Sequence, residues 1–179
     1  LGAAFAAQEF AVQPDLITCA KGLTNGAIPM GAVLVQDWLY QDLMQAGQGG
    51  IELFHGYTYS GHPVAAAAAL ATLDIYAREQ LLTRAHEMAG YWEEAVHSLR
   101  GCKHVKDIRN YGLVAGIELE SMTGAPGRRA YEVFVRCFQM GALIRVTGDI
   151  IALSPPLIIE REHIDQLFSL LQDALQAQA

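Results

Sequence analysis

Basic residues are few in this sequence. Twelve lysines and arginines stand against 19 aspartates and glutamates, for a formal net charge of -7. No cationic stripe forms along any segment, which argues against a nucleic-acid partner. Cysteine is equally sparse: Cys19, Cys102 and Cys137, an odd number at long spacings with no Cys-x-x-Cys pair. That pattern excludes a disulfide framework and the common zinc and haem signatures. It predicts buried structural thiols in a reducing, cytoplasmic setting with no metal centre. Long apolar runs are missing too. Pro63 to Leu73 is the longest nearly apolar stretch, alanine-rich and too short to span a bilayer. The opening, LGAAFAAQEF, has neither the basic start nor the apolar core of a secretory signal. It reads like the interior of a longer sequence, so the chain is expected to be a fragment. Neither an internal repeat nor a low-complexity tract occurs.

What is present suits a folded core: 52% apolar and 17% charged residues in a chain of 179. Ala3 to Phe10 predicts a short helix, broken before Pro14. Asp15 to Ala20 predicts a buried strand of a mixed or parallel sheet, and Gly31 to Val35 a second strand. Asp37 is expected to cap a helix running through Met44, and Gly47 to Gly50 to be flexible. Pro63 suits a first helical position, with the helix continuing from Val64 to about Ala77. Leu81, Ala85, Met88, Trp92, Val96 and Leu99 recur at helical spacing within Glu79 to Leu99 and predict a core-facing stripe. Val105 to Arg109 and Leu113 to Leu119 read as strands joined near Asn110-Tyr111-Gly112. A helix from Arg128 to Met140 ends at Gly141. Ala142 to Val146 and Ile150 to Leu153 form a hairpin, and a last helix runs from about Arg161 to Leu175. The fold class is α/β, with an α+β second half.

Lys21 closes an apolar run and opens a loop of Gly, Thr and Asn. An amine partly screened from water there loses some preference for its charged form and can attack carbonyls to form a Schiff base. Thr58 and Ser60 precede a helix N-terminus, where free N–H groups and the helix dipole favour a phosphate; ordinary capping is the competing reading. His55 and His62 flank that motif and are read as structural or capping residues. Arg145 sits on the strand face opposite Ala142, Ile144 and Val146. Position alone makes it a surface arginine, while its guanidinium offers a carboxylate two parallel donors.

Three segments then resemble a family: Pro14 to Val33 around Lys21, His55-Gly-Tyr-Thr-Tyr-Ser-Gly-His-Pro63, and Ile144-Arg-Val-Thr-Gly-Asp149 with Pro155-Pro156. In order and spacing they resemble the C-terminal part of a class III aminotransferase, a pyridoxal-phosphate enzyme of fold type I. The wording is most similar to the ω-amino acid:pyruvate branch, such as β-alanine:pyruvate aminotransferases. The resemblance implies that Lys21 is the Schiff-base lysine and proton shuttle. It implies that Tyr57 and Thr58 reach the cofactor phosphate of the neighbouring subunit in a homodimer, and that Arg145 receives a substrate carboxylate. It further implies that residues 1–75 are an edge of the large cofactor domain and 76–179 the small domain. The aspartate facing the pyridine nitrogen, the ring-stacking aromatic and the second phosphate loop would lie upstream, so this stretch alone is expected to be inactive. Other class III activities (diaminopelargonate, ornithine or 4-aminobutyrate transamination, or an aminomutase) and a non-catalytic truncated chain are the alternatives.

Overall fold

The computed structural model describes residues 1–47 and 58–178. Gln48 to Gly50 of the expected flexible loop, together with His55 and Tyr57, lie outside the described residues. Phe5–Gln80 forms one unit, and Leu1–Ala4 with Leu81–Ala179 the other.

The first unit contains α1 (Ala6–Glu9), β1 (Leu16–Ala20), a 3₁₀ turn (Lys21–Leu23), β2 (Gly31–Val35), α2 (Asp37–Ala46) and α3 (Pro63–Arg78). β1 and β2 are antiparallel, with Leu16 opposite Val35 and Ala20 opposite Gly31. The antiparallel pairing is one that a mixed sheet allows and a purely parallel one does not, and the expected burial of β1 is corrected: none of its residues is buried. Each strand pairs only with the other among the described residues, and Leu16, Val33, Leu34 and Val35 remain exposed. An apolar run favours a strand without specifying what pairs with it or covers it. Asp37 is also displaced from its expected capping role. Gln36 is the N-cap, and its Nε2 donates to the Pro14 carbonyl at 3.2 Å. Pro63 does occupy the start of α3, and Ala65, Ala69 and Thr72 at successive turns form its buried face.

The second unit contains α4 (Leu81–His97), β3 (Val105–Tyr111), β4 (Val114–Leu119), α5 (Arg128–Gln139), β5 (Arg145–Thr147), β6 (Ile150–Leu153) and α6 (Arg161–Gln176). Its sheet is antiparallel in the order β3-β4-β6-β5. The registers place Ile108, Ile117, Ile151 and Val146 in one row across all four strands. The first three are buried, as strand alternation requires of one face. The neighbouring row, on the opposite face, reads Arg109, Gly116, Ala152, Arg145.

The predicted stripe of α4 is core: Leu81, Ala85, Trp92 and Val96 are buried. Trp92 meets Phe168 of α6 edge to face, with ring centroids 5.3 Å apart. Ala130, Val133 and Cys137 of α5 are fully buried, and burial pushes the Cys137 thiol up to about 11. β5 begins at Arg145, three residues later than the sequence suggests. The Ala142 N–H is already bonded to the Cys137 carbonyl at 2.8 Å, closing the end of α5. Gly141, at φ 94°, makes that close possible.

Candidate functional site

Three lysines occur in the chain: Lys21, Lys103 and Lys106. The structure separates them. Lys103 Nζ donates to the Gln178 carbonyl at 2.7 Å. Lys106 Nζ donates to Glu118 at 2.6 Å, and that hydrogen bond and the carboxylate's charge hold it above the ordinary lysine value. Lys21 has neither a hydrogen bond nor an ion pair from its amine among the described residues, and it is exposed.

Lys21 is set apart by its backbone as well. It follows β1 with φ 53°, in the left-handed region, at a cost of about 1–2 kcal/mol for a residue carrying a Cβ. The loop folds back onto it. The Lys21 carbonyl accepts from the Thr24 N–H at 3.3 Å and the Gly26 N–H at 3.1 Å. Thr24, only 1% exposed, donates its hydroxyl to the Ile28 carbonyl at 2.7 Å. From α3, the Tyr76 hydroxyl donates to the Gly22 carbonyl at 2.9 Å. Sequence reading assigned Thr24 and Tyr76 no role. The loop's composition signals Thr24, because a Thr in a Gly- and Asn-containing loop commonly bonds local backbone. Nothing local signals Tyr76, which lies 54 residues from its partner.

Thr58 lines a cavity of about 830 Å³ with Ile28, Gly31, Ser60, His62 and Ala65. The start of α3 faces this space. His62 caps the helix, its Nδ1 accepting from the Ala65 N–H at 3.4 Å, in keeping with its expected capping role. Lys21 is not among the lining residues, but Ala20 before it lies opposite Gly31 in the ladder, and Gly31 lines the cavity. The cavity itself offers the hydroxyls of Thr58, Tyr59 and Ser60 and a helix N-terminus, a set suited to a phosphate, while the Lys21 amine is suited to a carbonyl.

Arg145 belongs to the other unit. It is exposed, begins the edge strand β5 opposite Ala152, and makes no ion pair among the described residues. It lines a cavity of about 710 Å³ whose other walls include Trp92, Val114, Ala152, Pro155 and Ile159. A lone guanidinium over an apolar wall is suited to a carboxylate carried on a short carbon chain. Tyr57, the remaining expected site residue, lies outside the described residues.

Comparison with known proteins identifies the family. The chain is 57% identical to an omega-aminotransferase of Caulobacter vibrioides, over 98% of its own length and 40% of that protein. It is 41% identical to a beta-alanine–pyruvate aminotransferase of Pseudomonas aeruginosa, over 98% of its length and 40% of that protein. A solved thermostable omega transaminase six-fold mutant from Pseudomonas jessenii superposes with a TM-score of 0.90 at 30% identity, covering 97% of this chain and 40% of that one. The chain thus spans about 40% of the length of the curated relatives it matches, and over that length its fold is that of a fold type I transaminase. Residues 1–175 match the family described as Aminotransferase class-III, and the chain belongs to that family.

Proposed function

We propose that this chain is part of an aminotransferase that moves an amino group from an ω-amino acid or amine to pyruvate or a similar 2-oxo acid. The family is pyridoxal-phosphate-dependent. One observation carries the reading: Lys21, exposed and with its amine unengaged among the described residues, is held in a left-handed conformation where β1 gives way to a glycine-rich loop. Its amine suits the aldehyde of the cofactor, and the hydroxyls at the start of α3 suit the phosphate of the partner subunit's cofactor. When bound, pyridoxal phosphate supplies the electron sink that lets a proton leave the carbon bearing the amino group. Lys21 would hold the cofactor through its amine and, once displaced by the amine of the substrate, the freed amine would take and return that proton. Arg145 orients donor and acceptor by the carboxylate that both carry. Free cysteines at 19, 102 and 137 support a reducing cytoplasmic setting.

The reading is tested by supplying the full-length protein with β-alanine and pyruvate, and separately with 4-aminobutyrate and 2-oxoglutarate. Alanine formation from the first pair, at higher kcat/KM than glutamate formation from the second, is expected. The reverse preference would place the protein in another class III activity.

The same reading includes a homodimer with shared sites, Thr58 and Tyr57 serving the partner's cofactor phosphate. Support comes from Thr58, which lines the cavity at the start of α3 with Ser60, where hydroxyls and a helix N-terminus suit a phosphate. Mixing full-length Lys21→Ala with Thr58→Ala subunits is expected to restore part of the activity. Each heterodimer then holds one site with both residues intact. No recovery despite demonstrated subunit exchange would count against shared sites.

A further inference from the structure

We propose that Asp149 is a positioning residue for Arg145, setting the height and angle of the guanidinium over its cavity. The inference rests on the reading of Arg145 as the carboxylate receptor. β5 is a weak platform by itself: three residues long, at the edge of the sheet, with only β6 beside it. The chain before it does not extend the ladder, because Ala142 is tied to the end of α5. Val146 packs against the core and β5 against α5, and the strand's other end is the two-residue turn Gly148-Asp149.

That turn is held from two sides by Asp149. The Asp149 carbonyl accepts from the Leu119 N–H at 2.9 Å, which ties the turn to the end of β4. Its carboxylate oxygen Oδ1 accepts from the Gly127 N–H at 2.7 Å, which ties the turn to the start of α5. Gly127 is the N-cap of α5 and provides no side-chain cap of its own. Asp149 supplies from 22 residues away the acceptor and the negative charge that a helix N-terminus favours. The approach is close. Gly127 has φ 79°, and a Cβ on it would sit 3.3 Å from the Gly148 carbonyl oxygen. Helix start and hairpin turn are thus clamped together, and Arg145 lies four residues before Asp149. A guanidinium that must meet both oxygens of a carboxylate is sensitive to such an anchor, since small misplacements of a binding group are costly.

The test uses the full-length protein and measures kcat/KM for β-alanine and for an aralkyl amine that lacks a carboxylate. Asp149→Ala is expected to lower the acid-to-amine ratio by about three- to tenfold, the size expected for loss of one hydrogen bond. Asp149→Asn keeps the acceptor and should hold the ratio near that of the unaltered protein. In an Arg145→Ala background, Asp149→Ala should leave the ratio where Arg145→Ala alone puts it. An equal loss for acid and amine, or a change in the ratio that persists without Arg145, would overturn the proposal. If Arg145→Ala shifts the ratio and Asp149→Ala does not, the positioning role falls and the Arg145 reading stands. If Arg145→Ala leaves the ratio unmoved, both fall. Should Asp149→Ala fail to accumulate as folded protein, Asp149→Glu carries the same comparison. It keeps the charge and displaces the acceptor by one methylene, so a lowered ratio supports the proposal and an unchanged one overturns it.

Discussion

Alanine at position 21 is expected to eliminate amino transfer by the full-length protein. Loss of the positioned base alone removes about 10²–10⁴-fold in rate, and loss of the covalent hold on the cofactor adds to it. Lys21 is the one lysine in the described structure whose amine is not already engaged. Lys103 supports the C-terminal segment through the Gln178 carbonyl, and Lys106 donates to Glu118. An amine already holding a carbonyl or a carboxylate must give it up before reacting. The loss at position 21 will not be a folding defect. Lys21 is exposed, and exposed substitutions away from special contacts change stability by about 0.5 kcal/mol or less. The residue's own φ of 53° is equally awkward for lysine and alanine, so the exchange adds no backbone strain. Two measurements check the claim. Far-UV circular dichroism and the thermal midpoint, both measured on the cofactor-free protein, should be unchanged in Lys21→Ala. Borohydride reduction of the unaltered holoenzyme, followed by peptide mapping, should place the cofactor adduct on Lys21. An adduct on Lys103 or Lys106 would overturn the assignment.

The elements legible in the sequence are those whose burial follows from period alone. The α4 stripe could be read because Leu81, Ala85, Trp92 and Val96 all face one core. Along β4, the alternation of Leu113, Ala115, Ile117 and Leu119 against Val114 is reproduced in their burial. Contacts between distant segments carry no such period. The pairing of β1 with β2, and the exposure of their apolar residues, depends on what lies beside them in space. The late start of β5 depends on how α5 ends. For the candidate site, the position of Lys21 between an apolar strand and a glycine-rich loop was visible. Its left-handed backbone and the supports from Thr24 and Tyr76 were not. Asp149 shows the limit well. Its place in a turn was predictable from Thr147-Gly148-Asp149, while its bond to Gly127 links two loops that only the assembled sheet brings together.

Arg145→Ala in the full-length protein is expected to lower kcat/KM for both β-alanine and pyruvate by roughly ten- to a hundredfold, the effect of removing a charge-assisted hydrogen-bond pair. The structure supplies the reason for a specific effect. Arg145 is exposed on an edge strand, makes no ion pair among the described residues, and has the small residues Ala152 and Gly116 beside it in its row. Nothing in that row competes for its guanidinium, and the cavity wall beneath it is largely apolar. A carboxylate entering there meets a cation that makes no ion pair among the described residues, over a wall that is apolar apart from Ser154. Lysine is a poor replacement, because an ammonium cannot present two parallel donors. Arg145→Lys should therefore recover only part of the loss. An aralkyl amine has no carboxylate to place, so its half-reaction should fall much less than that of β-alanine. Single-turnover rates with each donor, measured on Arg145→Ala and Arg145→Lys, separate this effect from damage to cofactor binding. Equal losses for the amine and the acid would mean that Arg145 supports the fold or the cofactor, and its assignment to the carboxylate would fall.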